Sequence, residues 1–382
     1  DGIVGRIFKD RSWISLDIDM AMRTLVRNEV YKMTVARKKL VDPSVTRWYH
    51  CISKCVRSLF LLGESKIDGG MDRKAWLEER IRYLCEIFAV SIASYSVLDN
   101  HLHTVVRIDA EEAADAWTDK EVARRWFRLL PPRDKKRKLI EVTDEYLEEV
   151  CRDSEWVEQK RKRLGSLSWF MKYLKEPFSR LANKEEKCHG TFFESRFKSI
   201  AILDDEALLA VCVYVDLNPL AAGLAQTPED SPYTSVRERV EHVKKLGKLR
   251  ELLACKQGSI AARKLSGLWE CDQWLIPIED RRSIDSEREG MIEGLTLGNY
   301  LMLVEQTGRK EREGKSSISP ELADLFDRLG TNESQWQNRM DRLTGGKLVG
   351  NFIASSRARL RQVASTLGVR HLVNLYAETN PD

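Results

Sequence analysis

Two runs of strict alternation, 91–98 and 101–108, meet at Asp99-Asn100, and no other feature constrains the chain as much. Successive side chains of a strand point to opposite faces, so Ile92, Ser94, Ser96 and Leu98 set against Ala93, Tyr95 and Val97 read as one strand. The stretch 101–108 reads as the next, and Asp-Asn between them is turn chemistry. Upstream, Trp76, Leu77, Ile81, Leu84, Ile87 and Phe88 recur at helical spacing over 72–90, with Asp72 placed to cap the start. Before that, 46–53 mixes Trp, Tyr and Ile with polar residues, as a half-buried strand does. Strand, helix, strand, turn, strand predicts an α+β fold.

At 382 residues there is room for two or three domains. The chain begins with Asp, and from Met33 a basic stretch runs into the first strand, so 1–45 reads as a loosely attached basic leader, with 1–32 as an upstream extension. A domain is expected over 46–238. Inside it, 110–164 has the look of a helical insertion, with a Pro131-Pro132 break and basic runs at 133–138 and 160–163. Helix is expected again over 166–183, a strand over 191–203, and an apolar helix over 204–216 that closes near Asn218-Pro219. The rest, 239–382, reads as a helical C-terminal extension with linker-like stretches at 279–289 and 308–319.

Composition removes several function classes. With 63 Lys+Arg against 59 Asp+Glu, the formal charge of +4 excludes an acidic disordered protein and a wholly basic, histone-like binder. No uncharged run approaches the ~18 residues of a membrane span, and the first thirty residues carry no apolar secretory core, so a cytoplasmic protein without membrane partners is expected. The eight cysteines form no paired CxxC set and read as reduced thiols. Cys188 abuts His189, but catalytic partners meet in space rather than in sequence. Gly314-Lys315-Ser316 resembles the end of a phosphate-binding loop, yet five residues rather than four separate Gly308 from Gly314, and the segment reads as linker. No nucleotide cofactor site is expected.

His101-Leu102-His103 lies inside the second strand of the hairpin, so the two imidazoles share a face while Leu102 points to the opposite core. That arrangement either holds a divalent metal with open positions or decorates a polar face. In the apolar helix, Tyr214 and Asn218 stand four apart and share a face. A phenol can attack a phosphodiester and an amide oxygen can meet a hard metal; alternatively Tyr214 is an amphipathic core residue and Asn218 a helix end. Arg196 and Lys198, alternating with Phe193 and Phe197, suggest a basic and aromatic strip for single-stranded DNA, extended by Lys54 and Arg57.

Five blocks in order carry a family resemblance: Tyr49-His50-Cys51-Ile52-Ser53; Leu98-Asp99-Asn100-His101-Leu102-His103; Ser168-Trp169-Phe170-Met171-Lys172; Phe193-Glu194-Ser195-Arg196-Phe197-Lys198-Ser199; and Tyr214-Val215-Asp216-Leu217-Asn218-Pro219, followed by Ser231-Pro232-Tyr233-Thr234-Ser235. Together they resemble the HUH single-tyrosine transposases, in the branch of the REP-associated tyrosine transposases, over roughly 49–235. The resemblance implies a ferredoxin-like antiparallel sheet with helices on one face. It implies His101 and His103 as ligands of Mg²⁺ or Mn²⁺, Asn218 as third ligand, and Tyr214 as nucleophile in a 5′-phosphotyrosine intermediate. Its implied partner is single-stranded DNA with hairpin or palindromic ends, and a homodimer is left open. Where family members usually have Met-Pro-Asn-His, this chain has Leu-Asp-Asn-His, which alters the turn and keeps the ligands. The 110–164 insertion and the region after 240 depart from compact members. Two other readings stay open: a domesticated regulator that binds DNA without cleaving, and an unrelated metal phosphodiesterase using activated water.

Overall fold

The computed structural model describes residues 41–63, 70–110, 114–248, 250, 270, 273–283, 288–313, 322–345, 351–369 and 372. The chain divides into two units, Asp1–Leu40 and Val41–Asp382, and every described element belongs to the second. Residues 1–40 of the leader expected over 1–45, and the Gly314-Lys315-Ser316 segment, lie outside the described residues.

The chain opens with β1 (Trp48–Lys54), α1 (Arg73–Cys85), β2 (Val90–Val97) and β3 (His101–Ile108). Asp72 starts α1 by accepting from the Lys74 and Ala75 amides at 3.1 and 2.9 Å, which satisfies donors that the first helical turn leaves free. Three helices fill the expected insertion: α2 (Asp119–Leu129), α3 (Asp144–Cys151) and α4 (Ser154–Leu164). They are followed by α5 (Leu167–Glu185), β4 (Lys198–Ile202), α6 (Asp205–Ala221) and α7 (Ser235–Lys245). Then come the short β5 (Glu279–Asp280) and β6 (Ile292–Glu293), α8 (Leu297–Glu313), α9 (Ala323–Arg328), α10 (Glu333–Thr344), β7 (Phe352–Ile353) and α11 (Arg357–Thr366).

One five-stranded sheet has the order β2-β3-β1-β4-β7, antiparallel except where β7 joins β4 in parallel. A bulge at Ala93 shifts the β2 register, so Ile92 stands opposite Val106 while Ser94 stands opposite Val105. The uninterrupted alternation expected of 91–98 is therefore broken. Ile92, Tyr95 and Val97 share one face, and Ser94 and Ser96 share the other. Tyr95 reaches Glu78 of α1 at 2.5 Å, and α1 packs with α5 on that side. Ser94 points the opposite way, toward α6, which packs on β2 and β3. Helices thus cover both faces of the sheet, a correction to the expectation of one: α6 is apolar nearly all round and needs cover on every side.

That cover comes from the chain after residue 238. Leu322, Leu325, Phe326 and Trp336 join the core around α6 together with Ile52, Val105, Ile200 and Ile202. Arg339 of α10 pairs with the buried Glu206 of α6, and Ser355 donates to Asp204, the α6 cap, through its amide at 2.8 Å and its hydroxyl at 3.0 Å. α6 also outruns its expected end at Asn218-Pro219. It continues to Ala221 and closes with Gly223 at φ 71°, Gly223 N–H donating to Leu220 O and Leu224 N–H to Pro219 O. This is a Schellman closure, which satisfies the last carbonyls one turn beyond the proline.

Asp216, fully buried, ties α6 to its surroundings. It accepts from Val236 N–H at 3.1 Å and Ser94 Oγ at 3.3 Å, and from the hydroxyls of Ser235 and Tyr300. Asp216→Ala strands those donors in a dry interior and should destabilise the protein by about 3–5 kcal/mol, against a smaller loss for Asp216→Asn, which keeps an acceptor. Denaturant unfolding of both variants checks this; an alanine variant within ~1 kcal/mol of the parent would contradict the assignment.

Candidate active site

His101 and His103 project from β3 onto the α6 side, because strand residues two apart share a face. In the β1–β3 register Ile52 stands opposite His103, which puts His50 on the neighbouring diagonal. The His50 and His103 rings stack 5.0 Å apart at 21°, and His101 lies edge-on to His103 at 4.7 Å. From α6 the Tyr214 ring meets His103 edge-on at 5.7 Å and His50 at 6.1 Å. Asn218, one turn along, brings its side-chain nitrogen 3.5 Å from His103 Nε2. Three imidazoles, a phenol and an amide therefore converge, and Tyr214 is only 8% exposed.

The hydrogen bonds assign the ring protons. Asn100 donates its amide N–H to Ser58 O at 3.4 Å, so its oxygen faces His101 Nδ1 at 2.5 Å, and that nitrogen must carry the proton. His101 Nε2 then holds a lone pair. For His103, an Asn218 N–H meets a lone pair on Nε2 only if Nδ1–H donates to His50 Nε2, 2.8 Å away. His50 accordingly carries its own proton on Nδ1, a buried atom with no hydrogen-bond partner. Both strand histidines thus have Nδ1 tied and a lone pair on Nε2, that of His103 facing the Asn218 amide N–H; outer partners fix a metal-binding imidazole in the same way.

Burial keeps all three rings neutral. It pushes His50 down to about 3, helped by the Lys198 charge, and His101 down to about 4, helped by Lys54. His103 falls well below the usual histidine range, mainly by burial, with the neighbouring His101 and His50 adding to it. Neutral imidazoles are what ligation needs, so two Nε2 atoms and the Asn218 amide make a donor set that fits a divalent ion. Among the described residues, no group of three or more His, Cys, Asp or Glu is arranged to hold a metal ion.

The other expected residues scatter. Lys198 opens β4 opposite Ile52, on the histidine face, and Arg196 and Arg57 are exposed. Phe193 is a correction: it is buried against Phe178 and Phe192, with Lys175 over its ring at 4.7 Å, and offers no face to a base. The alternation expected over 191–203 fails there because the strand begins only at Lys198. His50 and Asn100 were missed as site residues. The signal for His50 was its placement two before Ile52 on a strand bound to pair with the histidine strand.

No protein-family model matches the chain, and no curated protein does. Among solved structures, the chain is similar to a REP-associated tyrosine transposase bound to a REP hairpin. The identity is 14%, over 51% of this chain and 78% of the other, with a TM-score of 0.30. Likeness at that level carries no weight for the site, which stands on its own geometry. Among the described residues no helix is long and apolar enough to cross a membrane.

Tyr233, the other tyrosine near this end of β2, is otherwise engaged. Its hydroxyl donates to Asp72 at 2.6 Å, which with burial holds the phenol up at about 12.

Two expectations follow from the rings. The unfolded chain takes up histidine protons near pH 6.5, whereas His101 and His50 resist until about 4 and about 3, so the histidine contribution to stability should fall as pH drops through that window and stay flat above it. Denaturant unfolding from pH 8 to 4 checks this, and His101→Gln should flatten the slope; a slope unchanged by the substitution would contradict it. On the proposal that these rings hold Mn²⁺ with His103 as a ligand, His50→Gln should weaken Mn²⁺ binding by about 10–100-fold while leaving the fold intact, since it removes the support of that ligand and not the ligand. Calorimetric titration reads the change, and unaltered affinity would reduce His50 to a packing residue.

Proposed function

We propose that this chain is a metal-dependent, single-stranded DNA transesterase of the HUH type, which cleaves and rejoins strands at hairpin ends through a phosphotyrosine intermediate. The observation that carries the reading is one phenol, Tyr214, lying against His50 and His103 with Asn218 one helical turn on. The succession β1-α1-β2-β3, then helices and β4, with spatial order β2-β3-β1-β4, supports a ferredoxin-like core to which β7 adds an edge.

In the proposed step, Tyr214 Oη attacks the scissile phosphorus as the bond from phosphorus to the 3′-oxygen breaks. The phenol loses its proton and the departing 3′-oxygen takes one up, leaving a 3′-hydroxyl and a 5′-phosphotyrosine. Attack by another 3′-hydroxyl reverses the step and joins new strands. One phosphodiester replaces another of similar energy, so no nucleotide is consumed.

A free phenol has pKa ≈ 10 and needs help at neutral pH. With the Asn218 amide turned over, its oxygen in place of the nitrogen now beside His103 Nε2, a divalent cation held by that oxygen, His101 Nε2 and His103 Nε2 would polarise a non-bridging phosphate oxygen. An imidazole-rich set favours Mn²⁺ over Mg²⁺, which prefers oxygen donors. The protein's own part is orientation and exclusion. The ties at Nδ1 hold both rings in one pose, and packing against them fixes the Tyr214 ring. Lys198 and Arg196, with Arg57 beyond β1, supply cations for the phosphate chain.

The test uses single-stranded DNA with a hairpin end and Mn²⁺. The protein should form an adduct that survives denaturation, and Tyr214→Phe should lower its yield at least ~100-fold with folding and DNA binding retained. His101→Ala should suppress the adduct with partial rescue at high Mn²⁺. An adduct persisting in the phenylalanine variant would shift the nucleophile elsewhere. Tight binding with no adduct in the parent would favour a regulator that binds without cleaving.

A further inference from the structure

The turn after β1 holds two successive non-glycine residues, Arg57 and Ser58, in left-handed backbone, each at φ 54°. Glycine adopts that conformation freely and other L-residues only at a cost, yet here two side-chain-bearing residues are kept. The turn is firmly bonded: Cys55 N–H donates to Asn100 O at 2.8 Å, Val56 N–H to Phe192 O at 3.0 Å and Leu62 N–H to Asp99 O at 2.7 Å. What it displays is apolar. Phe60 is 73% exposed and Leu59 48%, with Arg57 exposed beside them. Single apolar side chains on a surface are ordinary; two contiguous ones on a strained, well-bonded turn are not.

This turn is coupled to the candidate site through one side chain. Asn100 donates to Ser58 O at 3.4 Å and accepts from His101 Nδ1 at 2.5 Å. Phe60 lies two residues from Ser58, so at most about 7 Å of backbone separates the ring's attachment from that link. An exposed aromatic ring on a fixed turn, with a cation next to it, has the chemistry that single-stranded nucleic acid uses: bases stack on the ring and phosphates meet the cation.

We propose that Phe60 is a stacking platform for an unpaired base next to the scissile phosphate, with Arg57 meeting the adjoining backbone. This rests on the transesterase reading and deepens it by assigning the binding place of the flanking nucleotide. Asn100 links the turn that carries Phe60 to His101, so a strand stacked on Phe60 is held near the histidines.

Affinity is read by fluorescence anisotropy on the Tyr214→Phe background, using a DNA hairpin with an unpaired tail and the same hairpin without it. Adding Phe60→Ala should weaken binding of the tailed DNA by roughly 5- to 100-fold and leave the tailless hairpin within about twofold. Phe60→Trp should bind the tail at least as tightly as the parent, and Phe60→Leu as weakly as the alanine variant. Because the ring is exposed, all three should keep the parent's thermal midpoint. Unchanged affinity in the alanine variant, full restoration by leucine, or a parent indifferent to the tail would each overturn the platform. The adduct assay on unsubstituted protein separates the two claims. An adduct with a flat Phe60 series removes the platform alone. No adduct with the expected series removes the transesterase reading and leaves a single-strand binding site.

Discussion

The position of the reactive phenol is set by a carboxylate that never touches it. Asp216 lies two residues from Tyr214 and two from Asn218, and at 3.6 residues per turn it projects to the far side of α6. There it gathers a β2 serine, the start of α7 and a tyrosine from α8. A helix buried on every side can rotate or slide unless something polar fixes its register. One acceptor with donors from three elements does so at high cost to any alternative. The bulge at Ala93 belongs to the same design, since it turns Ser94 toward α6 while Tyr95 still reaches Glu78 on the opposite face.

Much of this was legible in the sequence because it is local. The hairpin at Asp99-Asn100, the Asp72 cap and the shared face of His101 and His103 depend only on strand and helix periods. What was not legible depends on distant partners. Ile92 changes face because a bulge is invisible to a period-two count. His50 becomes part of the site only when β1 pairs with β3, and Phe193 is buried because the strand expected from 191 begins at Lys198. The far end of α6 misleads in the same way: Pro219 signals a stop, and the Schellman closure at Gly223 carries the helix past it. The covering of α6 by α8 and α10 rests on distant contacts, such as that of Tyr300 with Asp216 across 84 residues, which no window reveals.

Within the site, burial and hydrogen bonding act together. Three close imidazoles would repel one another if charged, and desolvation keeps them neutral. Neutrality leaves each ring with one donor and one acceptor, and the fixed partners Asn100 and His50 decide which nitrogen is which. From α6, Tyr214 lies edge-on to His103 and the Asn218 amide meets His103 Nε2. Lys54 and Lys198 add positive potential at the same end of the sheet, favourable to a phosphate chain and adverse to stray protonation of the rings.

The central claim is that Tyr214 forms the bond to DNA, and the most direct measurement is the site of attachment itself. After reaction with hairpin-ended single-stranded DNA and Mn²⁺, nuclease trimming and tryptic digestion leave a nucleotide-tagged peptide for fragmentation by mass spectrometry. Cleavage at Lys198 and Arg237 puts Tyr214 and Tyr233 in one peptide, so the fragment ions must divide between them. The expected result is a phosphonucleotide mass on Tyr214 with Tyr233 unmodified. A tag on Tyr233 or any other residue, or a reacted protein with no tagged peptide, would contradict the account.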